Sequence, residues 1–409
     1  MIHGPTRAAV SCEENGGVAR RRRWLLAIVV AGVLLRVYRL SWGLPDFIPP
    51  DSLNYYIRPA ARLVAAGELV PPSFVHTPLF MYTIGMVDFV WSATAGEPID
   101  LGPRPLRKGI GGLLPAEGGM LGSQDFPPQL TALIVVARAF CVATAPLSIV
   151  ALYLLARRLI GVRAALFASA AFALSPLHVL ESHRVNADGL MILFALLAAH
   201  RTVVAMQKQN RRGLLAGFAL AGVSGAVRYN GLAIATLPAW AAIRWPGASG
   251  GERFRLLVLG SSIVAAVLAI GLLPAVFDWQ RFQSSVAALF SVGFVAGGNL
   301  DLSGEGWVYH RYVYQLVATL PYSLGWPVYL CSLIGFPILA RSRPAATAIV
   351  LAAIVPFFLV QGAGLTVEHR YYQLLLPFLA VTAGVTLNAL VTRWKSLGIA
   401  AACAVLAYT

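Results

Sequence analysis

Long apolar runs separated by short basic clusters fill almost the whole chain. Each run approaches the ~20 residues that a helix needs to cross a bilayer. The pattern predicts spans near residues 24–41, 130–155, 164–180, 187–205, 213–229, 230–243, 256–276, 313–340, 345–363, 373–391 and 397–409. The two runs flanking Tyr229 are short, which points to broken or half-buried helices there. The expected fold is an all-α polytopic membrane protein with about 11 transmembrane helices, within a range of roughly 10–13 set by the uncertain short runs. Residues 1–23 read as a basic cytoplasmic tail and 24–409 as one transmembrane domain.

The polar intervals then assign sides. With Arg20 to Arg23 in the cytoplasm, alternate helix ends receive Arg157, Arg158 and Arg163, then Arg201, Lys208, Arg211 and Arg212, then Arg244, Arg253 and Arg255, then Arg341 and Arg343, then Arg393 and Lys395. Basic residues retained in cytoplasmic loops are what the positive-inside rule requires. The opposite face receives two large loops, 42–129 and 277–312, which are expected to carry interfacial helices. Of the 17 acidic residues, all but Glu13, Glu14 and Glu252 fall on that outer side. Topology rules scarcely constrain acids, so the skew suggests chemistry on the outer face.

Composition agrees with the pattern. Of 409 residues, 58% are hydrophobic and 12% charged, about half the charge of a typical soluble protein. The net charge of +15 follows from the cytoplasmic loops. No basic patch is interleaved with stacking aromatics, so no nucleic-acid partner is expected. Cys12, Cys141, Cys331 and Cys403 lack CxxC spacing, and the last three lie in apolar runs as expected of packed thiols. The first apolar run is too long for a cleavable leader and reads as a retained span. The implied location is an inner (cell) membrane with a cytoplasmic N-terminus.

Candidate chemistry concentrates at outer helix ends. "PPDSLNYYIRPAARLVAAGEL" follows the first span, and its Asp51 can be a general base, a metal ligand or a helix N-cap. The amphipathic run after it carries Tyr55, and the return "FVHTPLF" carries His76. "SPLHVLESHRVNAD" places Arg184 and Asp188 at an outer hairpin, either as a functional site or as a simple i,i+4 ion pair. Arg138 sits inside an apolar helix and demands an anionic partner, from the protein or from a lipid phosphate. Arg228 lies between the two short spans, and "EHRYYQLLLP" supplies His369, Arg370 and Tyr371. Arginine suits a phosphate held by two parallel hydrogen bonds. Arg138, Arg184 and Arg370 are expected to converge on one outer cavity.

The order, spacing and sidedness of these motifs resemble the GT-C class of membrane glycosyltransferases, in particular bacterial relatives of dolichyl-phosphate-mannose–protein mannosyltransferases and of the aminoarabinose transferase. The resemblance covers nearly the whole chain. It implies a GT-C-like helical bundle and makes Asp51 the first-loop catalytic carboxylate. It makes Arg138, Arg184, Asp188, Arg228, His369, Arg370 and Tyr371 the donor-phosphate and substrate-binding set. The family's acid beside the catalytic Asp is replaced by Ser52, which is expected to be a bystander. Tyr55, His76, Asp301 and Glu305 are candidates for the acceptor side. The partners so implied are a polyprenyl-phosphate sugar, a glycan, lipid or protein hydroxyl acceptor, and membrane lipids. The implied reaction is transfer with inversion, by one base opposite a leaving phosphate. No cofactor is implied with certainty, and use of a divalent metal stays open. A transporter or flippase of an anionic lipid is the rival reading, since intramembrane arginines suit it. A non-catalytic assembly subunit is a third.

Overall fold

The computed structural model describes residues 7–44, 49, 51–95, 128–291, 310–364 and 369–408. Asp301 and Glu305 lie outside the described residues, as does most of the insert at 92–128. Among the described residues every element is helical. In chain order they are α1 (Arg7–Val37), α2 (Arg58–Ala66), α3 (Pro78–Ala95), α4 (Pro128–Ile160), α5 (Val162–Ala173), α6 (Pro176–Ser182), α7 (Asp188–Lys208), α8 (Arg211–Val227), α9 (Thr236–Ile243), α10 (Gly250–Gly271), α11 (Trp279–Phe290), α12 (Arg311–Tyr314), α13 (Leu320–Leu324), α14 (Trp326–Ser342), α15 (Pro344–Ala363) and α16 (Leu376–Ala407). Two π turns (Ser52–Ile57 and Gln315–Thr319) and two of the 3₁₀ turns (Tyr229–Ala235 and His369–Leu375) adjoin these helices.

Five described helices are long and apolar enough to cross a membrane, and up to seven segments are if each sharply bent pair counts as one span. The protein is thus an integral membrane protein, but this measure does not reach the expected eleven spans. The shortfall has local causes. The run 164–180 divides into α5 and α6, bent by 53°, with Pro176 starting the second piece. The run 313–340 turns through 117° between Leu324 and Trp326. Gly325 makes that turn at φ 80°, in the left-handed region that glycine enters without steric cost. The run 230–243 is part 3₁₀ and part α, as its brevity suggested. The last two expected spans form one assigned helix, α16, that breaks at Lys395.

The core lies where α7 packs on α4 and α8, and where α16 packs on α5 and α14. Phe172, Leu196, Val350 and Phe378 are fully buried there. Close approach depends on small residues: a side chain at Gly335 would overlap the Thr382 carbonyl oxygen of α16. Outward faces are apolar instead of charged, as on α10 with Phe254, Val258, Leu259 and Ile270 exposed. A helix that is apolar toward both the core and the outside is one solvated by lipid. Among the cysteines, Cys141 and Cys331 are packed as expected, whereas Cys403 is exposed.

Candidate functional site

The segment after α1 is tied to the bundle at several points. Ser52 is buried and donates to the Val185 carbonyl at 2.9 Å, so it staples this loop to the α6–α7 turn and is no bystander to the fold. Thr77 donates to the Val227 carbonyl at 2.6 Å, and Tyr229 donates to the Phe74 carbonyl at 3.0 Å. From the segment after α10, α11 clasps the same stretch: Phe74 N donates to Ser285 Oγ at 3.0 Å and Arg281 donates to the Pro71 carbonyl at 3.2 Å. These ties bring His76 against Tyr55 and Tyr56, with ring centroids 4.7 and 5.4 Å apart.

Asp51 precedes the π turn, but its side chain makes no capping hydrogen bond. It pairs instead with Arg370, at 2.6 Å. The N-cap alternative therefore does not describe this residue. Burial pushes the Asp51 carboxyl up, but the charge and hydrogen bond of Arg370, assisted by Arg228, hold it below the usual carboxylate value. His76 is brought down to about 3, first by burial and then by the Arg228 charge. It is a neutral imidazole at any physiological pH.

A second carboxylate stands behind the first. Asp188 opens α7 fully buried, and both its oxygens are occupied: Oδ1 accepts from Arg228 and Oδ2 accepts from Gln373 Nε2 at 3.2 Å. Arg228 leaves α8 with extended backbone, which frees its side chain to reach across to α7. Tyr371 joins the two pairs, for the guanidinium carbons of Arg228 and Arg370 each lie 5.5 Å from its ring centroid. Asp51, Arg370, Tyr371, Arg228 and Asp188 thus form one continuous constellation, and His369 flanks it, its ring tilted against Tyr322 with centroids 4.6 Å apart.

Arg138 and Arg184 are turned to other partners. The buried Arg138 donates to the Leu40 and Trp42 carbonyls, both at 2.8 Å, because the turns after α1 offer acceptors that no helix satisfies. Arg184 pairs with Glu181 at 3.0 Å, not with Asp188. Glu181 in turn accepts from Asn186 at 2.9 Å and fixes the turn into α7. Through Glu181, which also feels the charges of Asp188, Arg370 and Arg228, Arg184 borders the constellation; Arg228 is the arginine that shares Tyr371 with Arg370. The sequence reading missed Gln373, and a polar side chain just before a proline-started apolar helix was its only signal. Among the described residues no three His, Cys, Asp or Glu side chains gather as a metal would require.

Residues 130–279 match the family described as dolichyl-phosphate-mannose-protein mannosyltransferase. No curated protein matches the sequence. The fold is similar to that of ArnT from Cupriavidus metallidurans, solved bound to undecaprenyl phosphate, with TM-score 0.60 and 18% identity over 95% of this chain and 64% of that one. It is also similar to the archaeal oligosaccharyltransferase AglB from Archaeoglobus fulgidus, solved with an inhibitory peptide and a dolichol-phosphate, with TM-score 0.57 and 13% identity over 93% of this chain and 52% of that one. The chain therefore spans less than two thirds of the length of either protein. A shared fold over nearly all of this chain, with the family match inside it, makes this a protein of GT-C fold.

Proposed function

We propose that the protein is a glycosyltransferase that moves a sugar from a polyprenyl-phosphate donor to a hydroxyl acceptor on the extracytoplasmic face of a cell membrane. One observation carries the reading. A half-exposed carboxylate, Asp51, meets a guanidinium, Arg370, which shares an aromatic ring with a second guanidinium, Arg228. The family match and the common fold with proteins solved on prenyl phosphates support it.

The chemistry divides between the two carboxylates. Asp188 has neither oxygen available, so it serves as the counter-ion that sets Arg228. Asp51 offers Oδ1 to an incoming hydroxyl. In a single displacement the acceptor oxygen attacks the anomeric carbon while its proton passes to Asp51. The bond from that carbon to the phosphate oxygen breaks, and its electron pair leaves on the polyprenyl phosphate. The leaving group gains negative charge in this step, which Arg228 and Arg370 stabilise as preorganised donors. The configuration at the sugar carbon inverts. Arg370 serves both sides of the reaction, because an arriving donor phosphate competes with Asp51 for it. Losing that partner raises the proton affinity of Asp51, so the base becomes effective only when donor is bound. The neutral His76 and the Tyr55 hydroxyl border the side from which the acceptor enters.

The test is purified protein in lipid nanodiscs with a short-chain polyprenyl-phosphate hexose or pentose and mixed hydroxyl acceptors. Stoichiometric release of free polyprenyl phosphate with a new glycoside is expected. Movement of intact lipid-linked sugar between leaflets of proteoliposomes, without release of prenyl phosphate, would replace transfer by transport.

A further inference from the structure

Behind the Asp188–Arg228 pair lies a polar path that the displacement itself does not use. Gln373 is buried, and while its Nε2 donates to Asp188 its amide oxygen has no hydrogen-bond partner. The 3₁₀ turn that carries Gln373 packs on α6. There His178 is equally buried, and its Nε2, like the Gln373 amide oxygen, has no hydrogen-bond partner. The His178 ring is held flat against Phe172, centroids 4.4 Å apart and planes 21° apart. Its helix is anchored from α1 by Arg36, which donates to Ser182 Oγ at 3.2 Å and to the Ala173 carbonyl at 2.8 Å.

We propose that His178 and Gln373 are positioning residues that act through Asp188 on Arg228, and so on the anionic group of the donor. The two partnerless atoms sit on elements that pack together, and they satisfy each other when His178 donates from Nε2 to the Gln373 amide oxygen. That bond strengthens the choice of which end of the amide faces Asp188, since only with the oxygen toward the imidazole N–H do both ends of the amide find a partner. With the N–H end held inward, Asp188 Oδ2 is occupied, and Oδ1 is the oxygen left to orient Arg228. A buried polar chain is worth most when every member is satisfied, and His178 completes this one. The inference rests on the proposed donor site and names groups outside contact with substrate.

The experiment uses the full chain in nanodiscs with farnesyl phosphate as the probe, measuring binding by calorimetry and fold by thermal unfolding. His178→Phe keeps the stacked ring and removes the donor. Binding should weaken roughly tenfold or more, the worth of one charge-assisted hydrogen bond, with the unfolding temperature nearly unchanged. His178→Gln, which restores an N–H, should recover most of the loss, and Gln373→Leu should reproduce it. In an Arg228→Gln background, His178→Phe should add nothing. Undiminished binding by both His178→Phe and Gln373→Leu overturns the relay while the donor site stands. An equal loss in the Arg228→Gln background overturns it too, because His178 would then act elsewhere. Wild-type protein that binds no farnesyl phosphate removes the donor site and the relay together.

Discussion

Two aspartates of the same intrinsic acidity take different parts here because their surroundings differ. Asp188 is enclosed and bonded through both oxygens, whereas the Asp51 side chain keeps 36% of its surface exposed and one oxygen unengaged. The depressed Asp51 value has a sign that can be tested. A carboxyl held below its ordinary value stays charged as pH falls through the usual carboxylate range, and it protonates only below that. Arg370→Gln removes the first of the influences that hold it down and leaves burial to raise it. The acid limb of kcat/KM, which reports the free enzyme, should therefore move to higher pH in Arg370→Gln, alongside a fall in donor affinity. A limb in the same place would detach Arg370 from the ionisation of Asp51. At this scale the sequence was legible where a residue type has few uses in an apolar setting, as with Asp51, Asp188, Arg228 and Arg370. It could not foresee that Arg138 bonds the Leu40 and Trp42 carbonyls, because an arginine bonded to two carbonyls reads the same in one dimension as one bonded to a phosphate.

Among the elements, periodicity located α7 and α15 to within a few residues. It could not show that 313–340 folds back on itself, because hydropathy averages over the single Gly325 at which the chain reverses. Nor could it pair helices. The packing of α14 on α16 relies on Gly335, where an added methyl would overlap the Thr382 backbone. Overpacking of this kind costs about 1–3 kcal/mol even where side chains can shift, and a backbone oxygen has less room to move. Gly335→Ala should lower the thermal unfolding temperature in detergent by several degrees, with Gly251→Ala as the matched control, since nothing lies within 4 Å of the added carbon there. Equal unfolding temperatures for the two variants would mean that α14 and α16 do not meet in this way. The stapling of the first loop by Ser52 and by α11 was also invisible in sequence, since serines at loop ends carry no signature of their partners.

For the molecule as a whole, the sidedness inferred from charge and the constellation around Tyr371 depend on each other: a base and two cations can use a lipid-linked donor only on the face where its head group lies. Glu68 is exposed in the first loop, just after α2. In a background without native cysteines, Glu68→Cys should react with an impermeant thiol reagent in intact cells, and reaction only after lysis would put the site on the wrong face. The central claim, that Asp51 is the base of a glycosyl transfer, is tested most directly by turnover of Asp51→Asn in the polyprenyl-phosphate release assay. Asparagine keeps the size of the side chain and cannot take the proton. Release of polyprenyl phosphate should fall by about 10²–10⁴, the usual worth of general-base catalysis, while farnesyl phosphate still binds through Arg228 and Arg370 and the unfolding temperature stays near that of the wild type. Release at close to the wild-type rate would contradict the account.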